Sequence, residues 1–314
     1  MLRTLPIYPC LSMSKLGYCA ILLLCLVPEL SIGRDIFVDN VAGDDRRDGS
    51  TVQVSGRAGG PVRSLRRALE LAEGSDRIVM ADKGEPYRES VTLQAGKHTG
   101  IATHPFTIVG NGATLDGSAP VPPDVWQHVE GNVFRFRAPR TSFQVLFLAG
   151  KPLERRFVDR EAGFPKLQPL EWCLFDRHVY FHVENDKLPR QYDLTHTSLP
   201  VGITLYEARH IVISDLVIEG FQLDGLNAHD SVFDATFVGL TCRGNGRSGI
   251  SVGGASRVKI IACLVGNNGA AQVRTEGFSR TEILNCDLIE SAEAPAIVRD
   301  GGLVSVSSDG APGS

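Results

Sequence analysis

Between His210 and Gly302 the chain alternates apolar and polar residues in short bursts, and the bursts repeat. The segments Ser214–Ile218, Gly239–Cys242, Ala262–Val265 and Asn285–Leu288 can be laid over one another, with Leu216, Leu240, Cys263 and Cys286 at spacings of 24, 23 and 23 residues. A second column, Leu226, Ile250, Val273 and Ile297, recurs at 24, 23 and 24. Two columns sharing one period, separated by the Gly/Asn turns Gly244-Asn245-Gly246 and Gly266-Asn267-Asn268-Gly269, predict units of several short strands. Each unit is too small to bury its apolar face alone, so it stacks in parallel on the next. The pattern is that of an all-β solenoid, a single-stranded parallel β-helix. A leucine-rich repeat would need Leu-x-x-Leu-x-Leu in every unit and a propeller blade about 40 residues. Asn245 and Asn268, 23 residues apart, are placed to stack as an amide ladder. Cys263 and Cys286 are placed to stack about 4.8 Å apart, within reach of a disulfide.

Before the repeat, Asp35–Val38, Ile78–Met80, Val91–Leu93, Phe106–Val109 and Thr114–Leu115 read as strands. Ser64–Glu73 carries Leu65, Ala68, Leu69 and Ala72 at helical spacing and ends before Gly74, which predicts an amphipathic helix covering the open end of the stack. Residues 118–200 break the period and concentrate aromatics, with a hairpin expected in Trp172–Val183 turning at Asp176–His178. The expected organisation is coils over 34–117, a β-rich insertion over 118–200, regular coils over 201–304 and a flexible Gly/Ser-rich tail over 305–314.

The first 33 residues read as an address. Lys15 precedes an apolar run from Leu16 to Val27, followed by Pro28 and the small-residue site Ser31-Ile32-Gly33. This predicts a secretory signal cleaved before Arg34, with Met13 as an alternative start and export to the periplasm, cell surface or medium. The apolar run is shorter than the roughly 17 residues a spanning helix needs, so no permanent membrane span is expected. The 33 Gly and 17 Pro among 314 residues suit turns rather than helical bundles, and 43% hydrophobic with 22% charged residues suits a packed core. Net charge is −4. Removing the leader, which holds Arg3, Lys15 and Glu29, leaves −5, a poor match to nucleic acid. Cys173, Cys242, Cys263 and Cys286 remain, in no zinc-ligand spacing and too few for a disulfide scaffold, and read as small core residues.

The run Asp39-Asn40, Gly43, Asp48-Gly49, Ser64-Leu65, Ala68-Leu69, Ala72, Gly74, Ile78, Tyr87-Arg88-Glu89, Ile108–Gly112 and Asp116-Gly117 resembles the opening of secreted right-handed parallel β-helix proteins of the pectate-lyase-like superfamily. Leu223–Asp230 is similar to the Asp-x-His-Asp segment of alginate epimerases and related lyases, with His229 and Asp230 matching and Asn227 where that motif has Asp. Gly249–Gly253 and Val273–Thr275 are similar to two polygalacturonase segments, Arg274 standing at the Arg of the second, while Arg247-Ser248 replaces an expected His. The resemblance implies the fold and, in its lyase and epimerase members, an acidic polysaccharide as partner. The superfamily spans several reactions.

Candidate chemistry follows from the columns. Residues after each interior position point outward, giving Asn227, Ser251, Arg274 and Val298, then His229, Gly253, Glu276 and Asp300, on a patch roughly 14 Å long. Asp224, Asp230 and Arg247 lie nearby in sequence. In a lyase reading Arg274 or His229 removes the proton next to a uronate carboxylate that Ca²⁺ or an Arg neutralises. Glu276 and Asp300 would repel one another unless a cation or an Arg lay between them, which makes Ca²⁺ the candidate cofactor, although none is required by the sequence. In a hydrolase reading, paired carboxylates act as acid and base. The predicted site is thus His229, Arg274 and Glu276 for catalysis and Asp224, Asn227, Asp230 and Arg247 for substrate, with Trp126 and Trp172 for sugar stacking. Glu276 and Asp300 would hold the metal. Two bland readings stand beside it: a solvated face of alternating charge, and aromatics, Tyr180 among them, that form the insertion's own core. A non-catalytic surface solenoid that binds carbohydrate is the rival function.

Overall fold

The computed structural model describes residues 33–139, 143–159, 161 and 163–308. The expected secretory signal lies outside the described residues, apart from Gly33.

Each coil of the chain crosses three faces. The narrow face stacks Thr114–Asp116, Val217–Glu219, Thr241–Arg243, Leu264–Gly266 and Asp287–Ile289. The broad face stacks Val91–Gln94, Ile203–Tyr206, Asp224–Asp230 and Ser248–Val252. The second face stacks Asp35–Val38, Arg77–Met80, Phe106–Val109, Arg209–Ser214, Phe233–Val238 and Arg257–Ile261. Two long strands, Ala271–Leu284 and Ile297–Ser307, run across the corner and join the last two faces into one twelve-stranded sheet. All these pairings are parallel, as an all-β solenoid requires.

The period read from the sequence is the register of the sheet. Val91, Ile203, Leu226, Ile250, Val273 and Ile297 are successive partners, and the first five are buried at 5% exposure or less. With Ile211, Ile213, Ile218, Phe237, Cys242 and Val265 they fill one continuous core. Strands here read apolar-in, polar-out because successive side chains point to opposite faces.

The Asn column is a buried ladder. Asn245 Nδ2 donates to Asn268 Oδ1 at 3.0 Å, and Asn268 Nδ2 donates to Gln272 Oε1 at 2.9 Å. Both amides also satisfy backbone groups, Phe221 N–H and Ile218 C=O for Asn245 and Cys242 C=O for Asn268. In the sulfur column, Cys263 N–H donates to Cys286 Sγ at 3.3 Å, and the four cysteines among the described residues are free thiols.

The helix Leu65–Leu71 begins on Ser64, whose hydroxyl accepts from Arg67 N–H, and buries Leu65, Ala68 and Leu69 against the first coils. Glu89 accepts from Leu65 and Arg66 N–H, satisfying two further donors of its first turn. At the other end, the strand Ile297–Ser307 carries through Ser305 to Ser307. Ser305–Ser307, expected in the flexible tail, instead find ladder partners in Glu282–Leu284; residues 309–314 lie outside the described residues.

The insertion is looped out of the stack. Strands before and after it pair as though it were absent: Val91 with Ile203, Phe106 with Ile211 and Thr114 with Val217. It forms two antiparallel sheets, one of Ser118–Pro120, Leu146–Leu148, Lys151–Pro152 and Leu194–Thr197, the other of Gln127–Glu130, Val133–Phe136, Trp172–Phe175 and His178–His182. The expected hairpin turns at Asp176 and Arg177, both with positive φ, 41° and 61°, the pattern of a type I′ turn. The insertion docks on the corner between the narrow and broad faces. There a Cβ on Gly246 would fall 2.0 Å from Phe143 O, so only glycine permits the approach.

Candidate functional site

Two charged surfaces of the solenoid are candidates for chemistry. The first is the broad-face patch anticipated from the columns. Its register is as expected, with Asn227, Ser251, Arg274 and Val298 as successive partners and Glu276 opposite Asp300. Arg274 lies between two carboxylates, with Nε on Glu276 Oε1 and Nη2 on Asp300 Oδ2, each at 2.5 Å. The positive charge that keeps Glu276 and Asp300 together is thus a guanidinium. This corrects the Ca²⁺ expectation: the pair does not fit a Ca²⁺ site, which needs six to eight oxygen ligands, and no group of three or more metal-binding side chains occurs among the described residues. Arg274 is also unsuited to proton removal, since a guanidinium has no accepting lone pair.

His229 is exposed and stacks on Tyr206 with ring centroids 6.0 Å apart. It stands two coils from Arg274 and Glu276, about 10 Å at the spacing of parallel strands, so the three are neighbours on one face but not one cluster. Asn227 is half-buried on the same strand as His229 and reaches Arg274 only through Ser251 in the coil between. Asp230 sits at a register shift opposite Tyr206 and accepts from Ser231 Oγ at 3.3 Å.

Asp224 is not available to a substrate. Its side chain is 0% exposed and accepts from Arg247 Nε at 3.0 Å, Arg247 Nη2 at 2.5 Å and Ser248 Oγ at 2.6 Å. The carboxylate holds the Arg247 guanidinium above its ordinary pKa, against the opposing effect of burial. The two form a structural brace at the start of the broad face, because an unpaired charge there would carry a heavy desolvation cost. Trp172 is likewise interior at 1% exposure, with its indole N–H on Leu153 C=O at 3.0 Å. Trp126 is half-buried, edge-on to Phe136 at 4.8 Å, and Tyr180 is buried at 6%. The expectation of sugar stacking by Trp126 and Trp172 gives way to the core reading, because Trp172 is interior and Trp126 packs against Phe136 and Phe181 of the same cluster.

The second surface is a groove of about 330 Å³ between the narrow face and the insertion. Its floor is a row at the ends of the narrow strands, where Asp116, Glu219 and Arg243 are successive register partners. Asp116 accepts from Arg88 Nη1 at 2.7 Å and from Ser118 N–H at 2.7 Å. Glu219 pairs with Arg243 Nε at 2.6 Å. The insertion supplies the opposite wall with Phe147, Asp193 and Thr195. Asp116 and Glu219 thus stand side by side, about 4.8 Å apart along the stack at the backbone, with an aromatic and a third carboxylate across from them.

None of these five charged residues was singled out for chemistry from the sequence. Glu219 and Arg243, each followed by Gly and 24 residues apart, were within reach of the period. Asp116 was not, because with the insertion in the way it stands 103 positions from its spatial neighbour Glu219.

Residues 194–308 match the family model "Right handed beta helix region", in agreement with the handedness expected for the solenoid. Among solved structures, one described as "Glycoside hydrolase" superposes with a TM-score of 0.57 at 11% identity, covering 81% of this chain and 73% of that one. A xylose complex of XylC reaches a TM-score of 0.43 at 13% identity, over 86% of this chain and 68% of that one. A GH136 lacto-N-biosidase from Eubacterium ramulus reaches 0.37 at 10% identity, over 81% and 43%. The first of these shows a shared fold. No curated protein matches the chain.

Proposed function

We propose that the protein is exported and carbohydrate-active, and that it seats a glycan in the groove between solenoid and insertion, where Asp116 and Glu219 act on a glycosidic bond. The observation that carries this reading is the register pairing of Asp116 with Glu219 at the groove floor. Hydrolysis of a glycosidic bond calls for two carboxyl groups flanking it. Glu219, with 29% of its side chain exposed against 9% for Asp116, exchanges a proton with the glycosidic oxygen. Asp116, fixed by Arg88 and the Ser118 N–H, is the second carboxylate. Phe147 offers an apolar surface to a sugar ring, and Asp193 and Thr195 offer hydrogen-bond partners to its hydroxyls. The leader supports export, and the likeness to a solved glycoside hydrolase is in keeping with a carbohydrate ligand.

Uronate elimination on the broad face has less support. Arg274 is already engaged by two carboxylates, and His229, the remaining base, is two coils away from it.

The test is to incubate the purified protein with neutral and uronate-containing oligosaccharides, recording reducing ends and the absorbance of unsaturated products. Reducing ends without that absorbance are expected, and Glu219→Gln should lower the rate by about 10²- to 10⁴-fold while oligosaccharide binding persists. Hydrolysis unaffected by Glu219→Gln and Asp116→Asn would refute the assignment. An unsaturated product lost in His229→Ala would return the chemistry to the broad face. Binding in the groove with no product from any substrate would make the protein a glycan-binding module.

A further inference from the structure

A third surface, on the second face, belongs to neither site. The backbone N–H groups of Phe233, Arg257 and Arg280 donate to the carbonyls of Ala208, Val232 and Ser256, each the residue before the partner in the preceding coil. Arg209, Phe233, Arg257 and Arg280 therefore form one row across four successive coils, about 14 Å long at the spacing of parallel strands. All three arginines are exposed, and none has a carboxylate within ion-pairing distance among the described residues. Elsewhere on the solenoid, Arg77, Arg88, Arg243, Arg247 and Arg274 are each paired with a carboxylate.

Phe233 orders the row. The guanidinium of Arg209 lies 4.9 Å from its ring centroid and that of Arg257 lies 5.3 Å away, a double cation–π contact that fixes both side chains before any ligand arrives. Beside the row is an open depression of about 510 Å³, lined by Asp234, Thr236, Arg257, Lys259, Arg280 and Glu282. Lys259 is paired with Glu282 at 3.4 Å, and His210 faces Asp234 at 3.5 Å. Four cations against two carboxylates leave an excess of two positive charges, on a chain whose net charge is −4.

We propose that this row is a binding site for a linear acidic glycan. A guanidinium presents a planar pair of donors that matches a carboxylate or sulfate bidentately. Successive guanidiniums at one-coil and two-coil intervals meet anions that recur along an extended polymer, and a pyranose ring is close to one coil in length. Nucleic acid fits less well. Single-strand binding relies on open aromatic platforms for the bases, whereas Phe233 has a guanidinium at 4.9 and 5.3 Å from its centroid. The proposal rests on the glycan reading above only in the kind of polymer bound. It adds an acidic ligand class and an anchoring surface separate from the groove.

The experiment measures the affinity of the full mature chain for labelled oligogalacturonate and oligoalginate of defined length, as a function of salt. A neutral malto-oligosaccharide and single-stranded DNA are run alongside. The acidic oligosaccharides should bind with a steep salt dependence and the neutral one should not bind at the row. Arg257→Ser/Arg280→Ser should weaken acidic-glycan binding at least about tenfold and flatten the salt slope. Arg280→Glu should do so as strongly, since one charge reversal suffices in a short row, and Arg177→Ser on the insertion should change nothing. The proposal is overturned if the double variant binds acidic glycans as the parent does, if the parent binds neither of them, or if DNA binds more tightly than both. Groove hydrolysis in the arginine variants separates the two readings. Turnover of a short neutral substrate with no acidic-glycan binding sinks the row alone, while acidic binding without turnover sinks the groove chemistry alone.

Discussion

Asp224 offers a sharp test, because the sequence placed it among substrate contacts and the structure makes it a brace. Replacing it with Ala removes the acceptor of two Arg247 donors and of Ser248 Oγ. Breaking a fully buried pair costs about 3–5 kcal/mol, mostly because the surviving charge is stranded. Arg247 keeps 23% of its side chain in solvent, so part of its charge rehydrates and the expectation settles near the lower bound, about 3 kcal/mol. For a chain of this size each kcal/mol shifts the melting midpoint by about 2 °C, giving a fall of about 6 °C. Asp224→Asn keeps the shape and some hydrogen bonds and should cost about half as much. Calorimetry or urea unfolding reads both, with the slope of the urea transition unchanged. Glycan affinity per folded molecule should remain that of the parent. An unchanged midpoint, or lost affinity in a variant of parental stability, would refute the brace and restore Asp224 to the binding machinery.

Two further outcomes are expected. His98, 6% exposed, accepts from Gln94 N–H at Nδ1 and meets Leu69 C=O with Nε2, an arrangement that demands the neutral ring. Burial pushes its pKa below the ordinary 6.5, against the opposing effect of the Leu69 carbonyl. The unfolded chain therefore takes up the proton first, so stability is full above about pH 6.5 and declines as pH falls through that value. The melting midpoint should drop from pH 7.5 to 5, less steeply in His98→Gln; equal slopes would remove His98 as the cause. Among the thiols, the hydrogen bond from Cys263 lowers the pKa of Cys286, while burial pushes Cys173 and Cys242 up to about 12. Since the thiolate is the nucleophile, iodoacetamide at pH 7.5 should label Cys286 first, with the others reacting only on unfolding. Peptide mapping that finds Cys242 or Cys173 labelled earlier would contradict the stack.

The period of 23 to 24 residues determined the solenoid without help from the structure. Leu226, Ile250, Val273 and Ile297 became register partners because each coil can bury its apolar face only against the same face of the next, which makes sequence spacing and spatial contact one quantity. The helix was legible for a similar reason, its core face and its Ser64 cap lying within a single local segment. Outward positions followed from alternation, which is why Arg274, Glu276 and Asp300 fell on one face as expected. What alternation could not say is how charges pair once they are there. Arg274 bridges Glu276 and Asp300, and Asp224 turns inward with Arg247, because partner choice depends on side-chain reach and burial, neither of which periodicity encodes.

The groove was beyond the sequence altogether. Its floor joins Asp116 to Glu219 across an insertion that the stack ignores, and its far wall comes from the folded insertion seated on Gly246. The arginine row shows the limit from the other side. Arg209, Phe233, Arg257 and Arg280 keep the period at 24, 24 and 23 residues, so their alignment was available in the sequence. That the three guanidiniums stand without carboxylate partners among the described residues, two of them set against Phe233, was decided by tertiary structure, because the absence of a neighbour is a property of three-dimensional surroundings.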